Sequence, residues 1–159
     1  MAQAQKQVRI IEPLERFVNR INLVGCYARV SSDSEDQLNS YNNQVDFYES
    51  YVNSLENSKL VKIYTDEGIT GTRMDKRDGF LQMIEDCRKG LINTIITKSI
   101  SRFARNITET HSVVRELKSI GVSVYFMTEK IDTAKMGSEM MLAVYAACAE
   151  IESKAISNA

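Results

Sequence analysis

The stretch NLVGCYARVSS, residues 22–32, decides the fold. Asn22–Val30 reads as a strand, and a pair of serines closes it, with Arg29 two positions before the first. Directly beyond, Leu38, Tyr41, Val45, Tyr48 and Val52 recur at spacings of three and four, which marks one face of a helix. Ser34 and Gln37 stand in the pattern that caps such a helix at its start. Three further β-rich runs follow, at 60–65, 91–97 and 122–127. Helical faces lie between them. Phe80, Ile84, Cys87 and Leu91 mark one, with Gly90 near its end; Ile107, Val114, Leu117 and Ile120 mark the next, closed by Gly121. Strands that alternate with helices predict an α/β fold, a mainly parallel sheet of four to five strands with helices on both faces.

The rest of the chain divides around this core. Residues 1–20 form an N-terminal extension, 21–135 the α/β core, and 136–159 the start of a long helix. From Met140 to Ala149 that last segment is apolar nearly all round, so it has more than one face to bury, against the sheet or against another subunit. The run has ten residues, short of the roughly 18 that a membrane helix needs. The charged N-terminus does not read as an export signal. Three widely spaced cysteines, Cys26, Cys87 and Cys148, fit buried thiols in a reducing compartment, the cytoplasm. With His111 the sole histidine, a cage of Cys and His for a metal is not expected.

The 159 residues carry a net charge of −1, which argues against a general nucleic-acid binder. The charge is unevenly spread: residues 58–105 sum to +4 and the remainder to −5. A basic middle in an acidic chain points to a local anion site, against the simpler reading of a solvated surface. Open parallel sheets bind ligands beyond the carboxyl ends of their strands. There the chain puts Arg29, Ser31 and Ser32 after strand one, TDEGITGTRMDKRDGF (65–80) after strand two, KSISRFAR (98–105) after strand three and TEKIDTAKMGSE (128–139) after strand four. Arg102 and Arg105, three apart at a predicted helix start, would project from one face, and arginine forks match phosphate oxygens. With Arg29, Arg77 and a loop hydroxyl such as Thr70 they suit phosphoryl transfer through a serine ester, whose charge such a site must stabilise. Other chemistries lack their signatures. Ser31 has no G-x-S-x-G elbow, no P-loop motif occurs, and no G-x-G-x-x-G follows strand one. A serine at a strand end is most often a turn or cap residue. The glycines Gly68, Gly71 and Gly79 read as turn formers. The residues by themselves leave cap and nucleophile open.

YARVSS (27–32), TDEGITGT (65–72), KRDGF (76–80), TKSISRFARN (97–106) and AEIES (149–153) stand in the order and spacing of the serine recombinase catalytic domain. The resemblance covers about Leu23 to Ile156, and TKSISRFARN and RDGF look most like the large serine recombinases, the phage-type integrases and transposon recombinases. It implies a resolvase-like fold with a long terminal helix cut short at the chain end, and a site-specific recombinase of a mobile element. Ser31 would attack a DNA phosphodiester to leave a 5′-phosphoserine, followed by strand exchange and religation without metal, nucleotide or other cofactor. Arg29, Arg77, Arg102 and Arg105 fall on the family's site arginines, with Gln44, Thr70, Ser101 and Glu150 in supporting positions. Ser101 stands where many small resolvases have aspartate. The implied partners are double-stranded DNA and further copies of the chain, a dimer and an active tetramer, with no membrane. Large members carry recombinase and zinc-bearing DNA-binding domains after the final helix, and most site affinity would reside there. Two other readings compete: a non-catalytic assembly or regulatory module on the same fold, and a flavodoxin-like small-ligand domain built on Asp33 and Glu35.

Overall fold

The computed structural model describes residues 20–31, 36–68, 77–104, 106–135, 137 and 142–143. The elements in chain order are β1 (Asn22–Ser31), α1 (Asp36–Ser54), β2 (Ser58–Gly68), α2 (Asp78–Arg88), β3 (Thr94–Thr97), α3 (Ile100–Phe103), α4 (Ile107–Ser119), β4 (Ser123–Phe126) and β5 (Ile131–Asp132). The sheet has five strands in the order β2-β1-β3-β4-β5. The first four pair in parallel, and β5 runs antiparallel to β4.

The alternation along β1 sorts the core into two layers, because successive side chains point to opposite faces. Val24, Cys26 and Ala28 meet Tyr48 and Val52 of α1, with Ile96 of β3 beside them. Tyr27 enters the other layer with Phe80, Met83 and Ile84 of α2 and Val114 and Leu117 of α4. Helices therefore cover both faces, as the pattern predicts. Leu142, at the described part of the terminal segment, is buried in this second layer. Ser34 of the predicted cap, most of residues 1–20 and most of 136–159 lie outside the described residues.

Several boundaries differ from the sequence reading for local reasons. β2 is longer than 60–65 because its whole length pairs with β1, from Ser58 to Gly68. Val24 pairs with Leu60 but Gly25 pairs with Lys62, so Val61 is an extra residue in β2. β3 is shorter than 91–97. Leu91 donates its N–H to Asp86 O in the helix terminus, and Asn93 turns its side chain to the Leu23 N–H and the Ile21 carbonyl. Gly90 and Gly121 stand at φ +76 and +79, the left-handed turns that end α2 and α4. The segment after β4, read as a loop, contains β5.

Asp86 ties α2 to the sheet. Its carboxylate accepts from Tyr64 Oη of β2 at 2.5 Å and from Gln82 Nε2 at 2.9 Å. The Tyr64 bond, more than any other contact, holds this carboxyl below its usual range. A carboxyl whose folded-state pKa is lowered stabilises the fold fully above its unfolded value of about 3.9, and that contribution fades as pH falls through the lowered value. Tyr64→Phe should therefore cost about 1–3 kcal/mol in urea unfolding at neutral pH, and the deficit should shrink below about pH 4. A deficit that persists undiminished to the acid limit of folding would contradict this role.

Candidate functional site

The carboxyl end of β1 is pinned from three directions through one residue. The Tyr27 carbonyl accepts from Tyr48 Oη of α1 and from Thr97 Oγ1 of β3, each at 3.2 Å. The Tyr27 ring goes to the opposite face and packs edge-on against Phe80. Its hydroxyl donates to Asp66 Oδ2 at 2.8 Å. Asp66, buried near the end of β2, also accepts from the first-turn amides of α2, Gly79 N at 2.7 Å and Phe80 N at 2.9 Å. A carboxylate at a helix start satisfies N–H groups that have no partner inside the helix. Gly79 is thus no turn former but lies within α2, where a Cβ would come within 2.4 Å of the Thr65 carbonyl oxygen. Only glycine lets the helix approach β2 this closely.

Beyond these strand ends, α1 overhangs a cleft of about 750 Å³. Arg29 from β1, Ser40, Asn43, Gln44 and Phe47 from α1, and Lys98 and Arg102 after β3 line it. Tyr48, Met127 and Thr128 also line it. It lies between β1 and β3, where the chain order of the parallel strands reverses, the usual ligand position in such sheets. Its charged groups are all cations, and its described lining holds no carboxylate and no histidine. Gln44 is oriented by a 3.3 Å bond from its Nε2 to Ser40 Oγ. Burial pushes the phenols of Tyr27 and Tyr48 up to about 12, so both remain proton donors near neutral pH. The cleft is equipped to hold an anion and stabilise growing negative charge.

Arg77 lies apart from this cleft lining. At 6% exposure it is sandwiched in the other layer, its guanidinium carbon 3.9 Å from the Phe80 ring centroid. Its Nη2 donates to the Phe103 carbonyl and, at 3.5 Å, to Tyr27 Oη. Its Nη1 sits 3.6 Å from Glu109 Oε1 of α4. Among the described residues, Nε and Nη1 have no hydrogen-bond acceptor. A buried guanidinium with idle donors is costly.

Of the residues singled out by sequence, the cleft gathers Arg29, Gln44 and Arg102. Ser31 is the last residue of β1, and its backbone pairs with Gly68. Ser101 is exposed and shares a 3.0 Å bond with Ser99 Oγ. Thr70, Arg105 and Glu150 lie outside the described residues, as does Ser32. The single helix start expected to carry Arg102 and Arg105 is two helices. The chain is extended at Ala104 and Asn106, and Asn106 Oδ1 accepts from Glu109 N at 2.7 Å to cap α4. Sequence reading missed Asp66 and Lys98. The signal for Asp66 was an acid just before the strand-two glycine loop, with a D-G-F helix start beyond it. Among the described residues no three His, Cys, Asp or Glu side chains group as a metal site requires.

Residues 24–159 match the family described as the resolvase N-terminal domain. The chain is similar to a Staphylococcus aureus protein, the transposon Tn552 resolvase, with 31% identity over 134 residues, covering 79% of this chain and 57% of that protein. It thus spans little more than half the length of this relative. A resolvase family site-specific recombinase from Streptococcus pneumoniae superposes with a TM-score of 0.66 at 28% identity, covering 86% of this chain and 91% of that one. The N-terminal catalytic domain of TP901-1 integrase shares the fold, with a TM-score of 0.63 at 23% identity over 84% of this chain and 98% of that one.

Asp66→Ala would leave Tyr27 Oη and the amides of Gly79 and Phe80 without their acceptor. The expected loss is about 2–4 kcal/mol in urea unfolding, seen as a lower midpoint at unchanged slope. A midpoint equal to that of the parent chain would remove Asp66 from its organising role.

Proposed function

Because this chain belongs to the resolvase family, defined by the resolvase N-terminal domain, we propose that it is the catalytic domain of a site-specific DNA recombinase with Ser31 as nucleophile. The observation that supports this reading is the cationic cleft at the carboxyl end of β1, the strand that Ser31 terminates. Ser31 Oγ attacks the phosphorus of a DNA phosphodiester as it loses its proton. The bond to the 3′ oxygen breaks, that oxygen leaves protonated, and the 5′ phosphate remains on the serine. Attack by a 3′ hydroxyl of the exchanged strand reverses the step. One phosphoester replaces another at each stage, so the covalent link conserves the bond energy and no nucleotide is consumed.

The residues divide the work by position. Arg29, Arg102 and Lys98 are suited to the non-bridging oxygens, where charge grows in the transition state. Gln44 contributes an amide donor from α1. Arg77 and Arg105 complete the arginine set, and Thr70, Ser101 and Glu150 support it. Double-stranded DNA is the substrate, and copies of the chain assemble around it, through the segment from 136 onward, into a dimer and then an active tetramer. Site affinity comes largely from outside residues 1–159, because a net charge of −1 gives weak attraction to a polyanion. No described helix is long and apolar enough to cross a membrane.

Covalent capture tests the reading. The full-length protein is incubated with nicked duplexes drawn from the DNA flanking its own coding sequence, and a protein–DNA adduct is sought on a denaturing gel. The adduct should vanish in Ser31→Ala and persist in Ser32→Ala. An adduct that survives Ser31→Ala would overturn the nucleophile assignment. Arg102→Ala should slow adduct formation by about 10²-fold or more, the usual scale for removing one group that stabilises transition-state charge.

A further inference from the structure

We propose that Glu129 is a positioning residue for the cationic cleft: it fixes the one-turn helix α3, which carries Arg102 into the cleft and presents the Phe103 carbonyl to Arg77. The inference rests on the reading of that cleft as the phosphate site. A helix of four residues cannot hold itself in water, because forming a first turn costs more than its few bonds return. The bonds inside α3 are long: the amides of Arg102 and Phe103 reach Ser99 O, and that of Ala104 reaches Ile100 O, each at 3.2 Å. Its geometry must come from outside.

Two kinds of contact supply it. Ile100 and Phe103 bury their side chains in the core. The first amide of the helix is satisfied from a distance in sequence. Ser99 occupies the capping position with extended backbone, yet its side chain makes no capping bond and turns to Ser101 Oγ. Glu129 caps instead, its Oε1 and Oε2 lying 3.2 and 3.3 Å from Ile100 N. Glu129 is itself held by an extension of the β3–β4 pairing past the sheet. Met127 N donates to Thr97 O at 3.0 Å, and Thr128 N donates to Lys98 O at 2.8 Å. The next residue, Lys130, turns back at φ +55 to enter β5. These links zip together the loops after β3 and β4, the two that bring Lys98, Arg102 and Thr128 to the cleft.

The mechanism is hydrogen-bond acceptance, so the variants separate it from a charge effect. Glu129→Gln keeps a carbonyl that accepts from Ile100 N and loses the charge. Glu129→Asp keeps the charge and falls short of the amide. Glu129→Ala loses both. The first arm uses the 159-residue chain and inorganic phosphate, followed through the Arg102 Nε–Hε resonance, which Arg102→Lys identifies. Phosphate should bind Glu129→Gln within about threefold of the parent, and Glu129→Ala and Glu129→Asp at least about fivefold more weakly. In the second arm the full-length protein forms its DNA adduct. Glu129→Ala should slow that step by about tenfold or more while DNA affinity stays within about twofold, and Glu129→Gln should restore it. Parent-like behaviour of Glu129→Ala in both arms overturns the proposal, as does Glu129→Gln being as weak as Glu129→Ala. If Glu129→Ala unfolds, the ranking of Gln above Asp decides in favour and the reverse decides against. Absence of any adduct from the parent protein overturns the phosphodiester reading alone, and the phosphate arm still decides the role of Glu129.

Discussion

The Asp66 carboxylate takes three hydrogen bonds, one from Tyr27 Oη and two from the first-turn amides of α2. It thereby joins the ends of β1 and β2 to the start of the helix that follows. Each partner has a second duty. Tyr27 offers its carbonyl to Tyr48 and Thr97, so α1 and β3 are registered against the same peptide. Gly79 permits the contact by having no side chain to collide with Thr65 O. Arg77, one residue before α2, is delivered by that placement to Tyr27 Oη and the Phe103 carbonyl. The ends of three parallel strands and the start of one helix answer to one buried anion.

Around this anchor the charges fall into two environments. Arg102 and Lys98 are exposed in an open cleft whose described lining holds no acid. Their attraction for an anion is long-ranged and screened by salt. Arg77 is buried, stacked on Phe80 and, among the described residues, only partly paired. Its interactions are short-ranged and stereospecific, and its idle donors are a standing cost to the fold. Packing a methionine there would relieve that cost, so stability alone gives no reason for arginine at this position.

Much of the fold was legible in the chain because period and punctuation agreed. The spacing of Leu38 to Val52 announced α1, and Gly90 and Gly121 announced where α2 and α4 stop. Strand lengths were less legible, since β2 is set by its partner and β3 is curtailed by the side-chain bonds of Asn93. α3 was merged with α4 because the break rests on Asn106, whose capping bond is a local choice that apolar periodicity does not register. In the site, arginines were conspicuous by their chemistry, and Arg29, Gln44 and Arg102 do share a cleft. Asp66 was not conspicuous: an acid at a strand end is common, and its importance comes from a helix start thirteen residues later in the chain. Lys98 was hidden for a similar reason, as one lysine among many until the sheet order set it beside β1.

The surplus residue Val61 in β2 has a consequence out of proportion to its size. Strand side chains alternate, so one added residue would exchange the two faces for everything downstream unless a bulge absorbed it; the bulge at Val61 does so, and Leu60 and Ile63, three apart, face the same layer. With the bulge in place, Tyr64 and Asp66 share the face of Tyr27, where α2 lies. Were the same chain paired without the bulge, and the register before it kept, Tyr64 would fall opposite Ala28 and Asp66 opposite Val30, and both would turn toward α1. The carboxylate would then meet α1 and the cationic cleft on that side, and the α2 amides would face a side chain of the other parity. Val61 stands half exposed, yet the bulge that absorbs it acts as a parity bit for the anion on which the site is built.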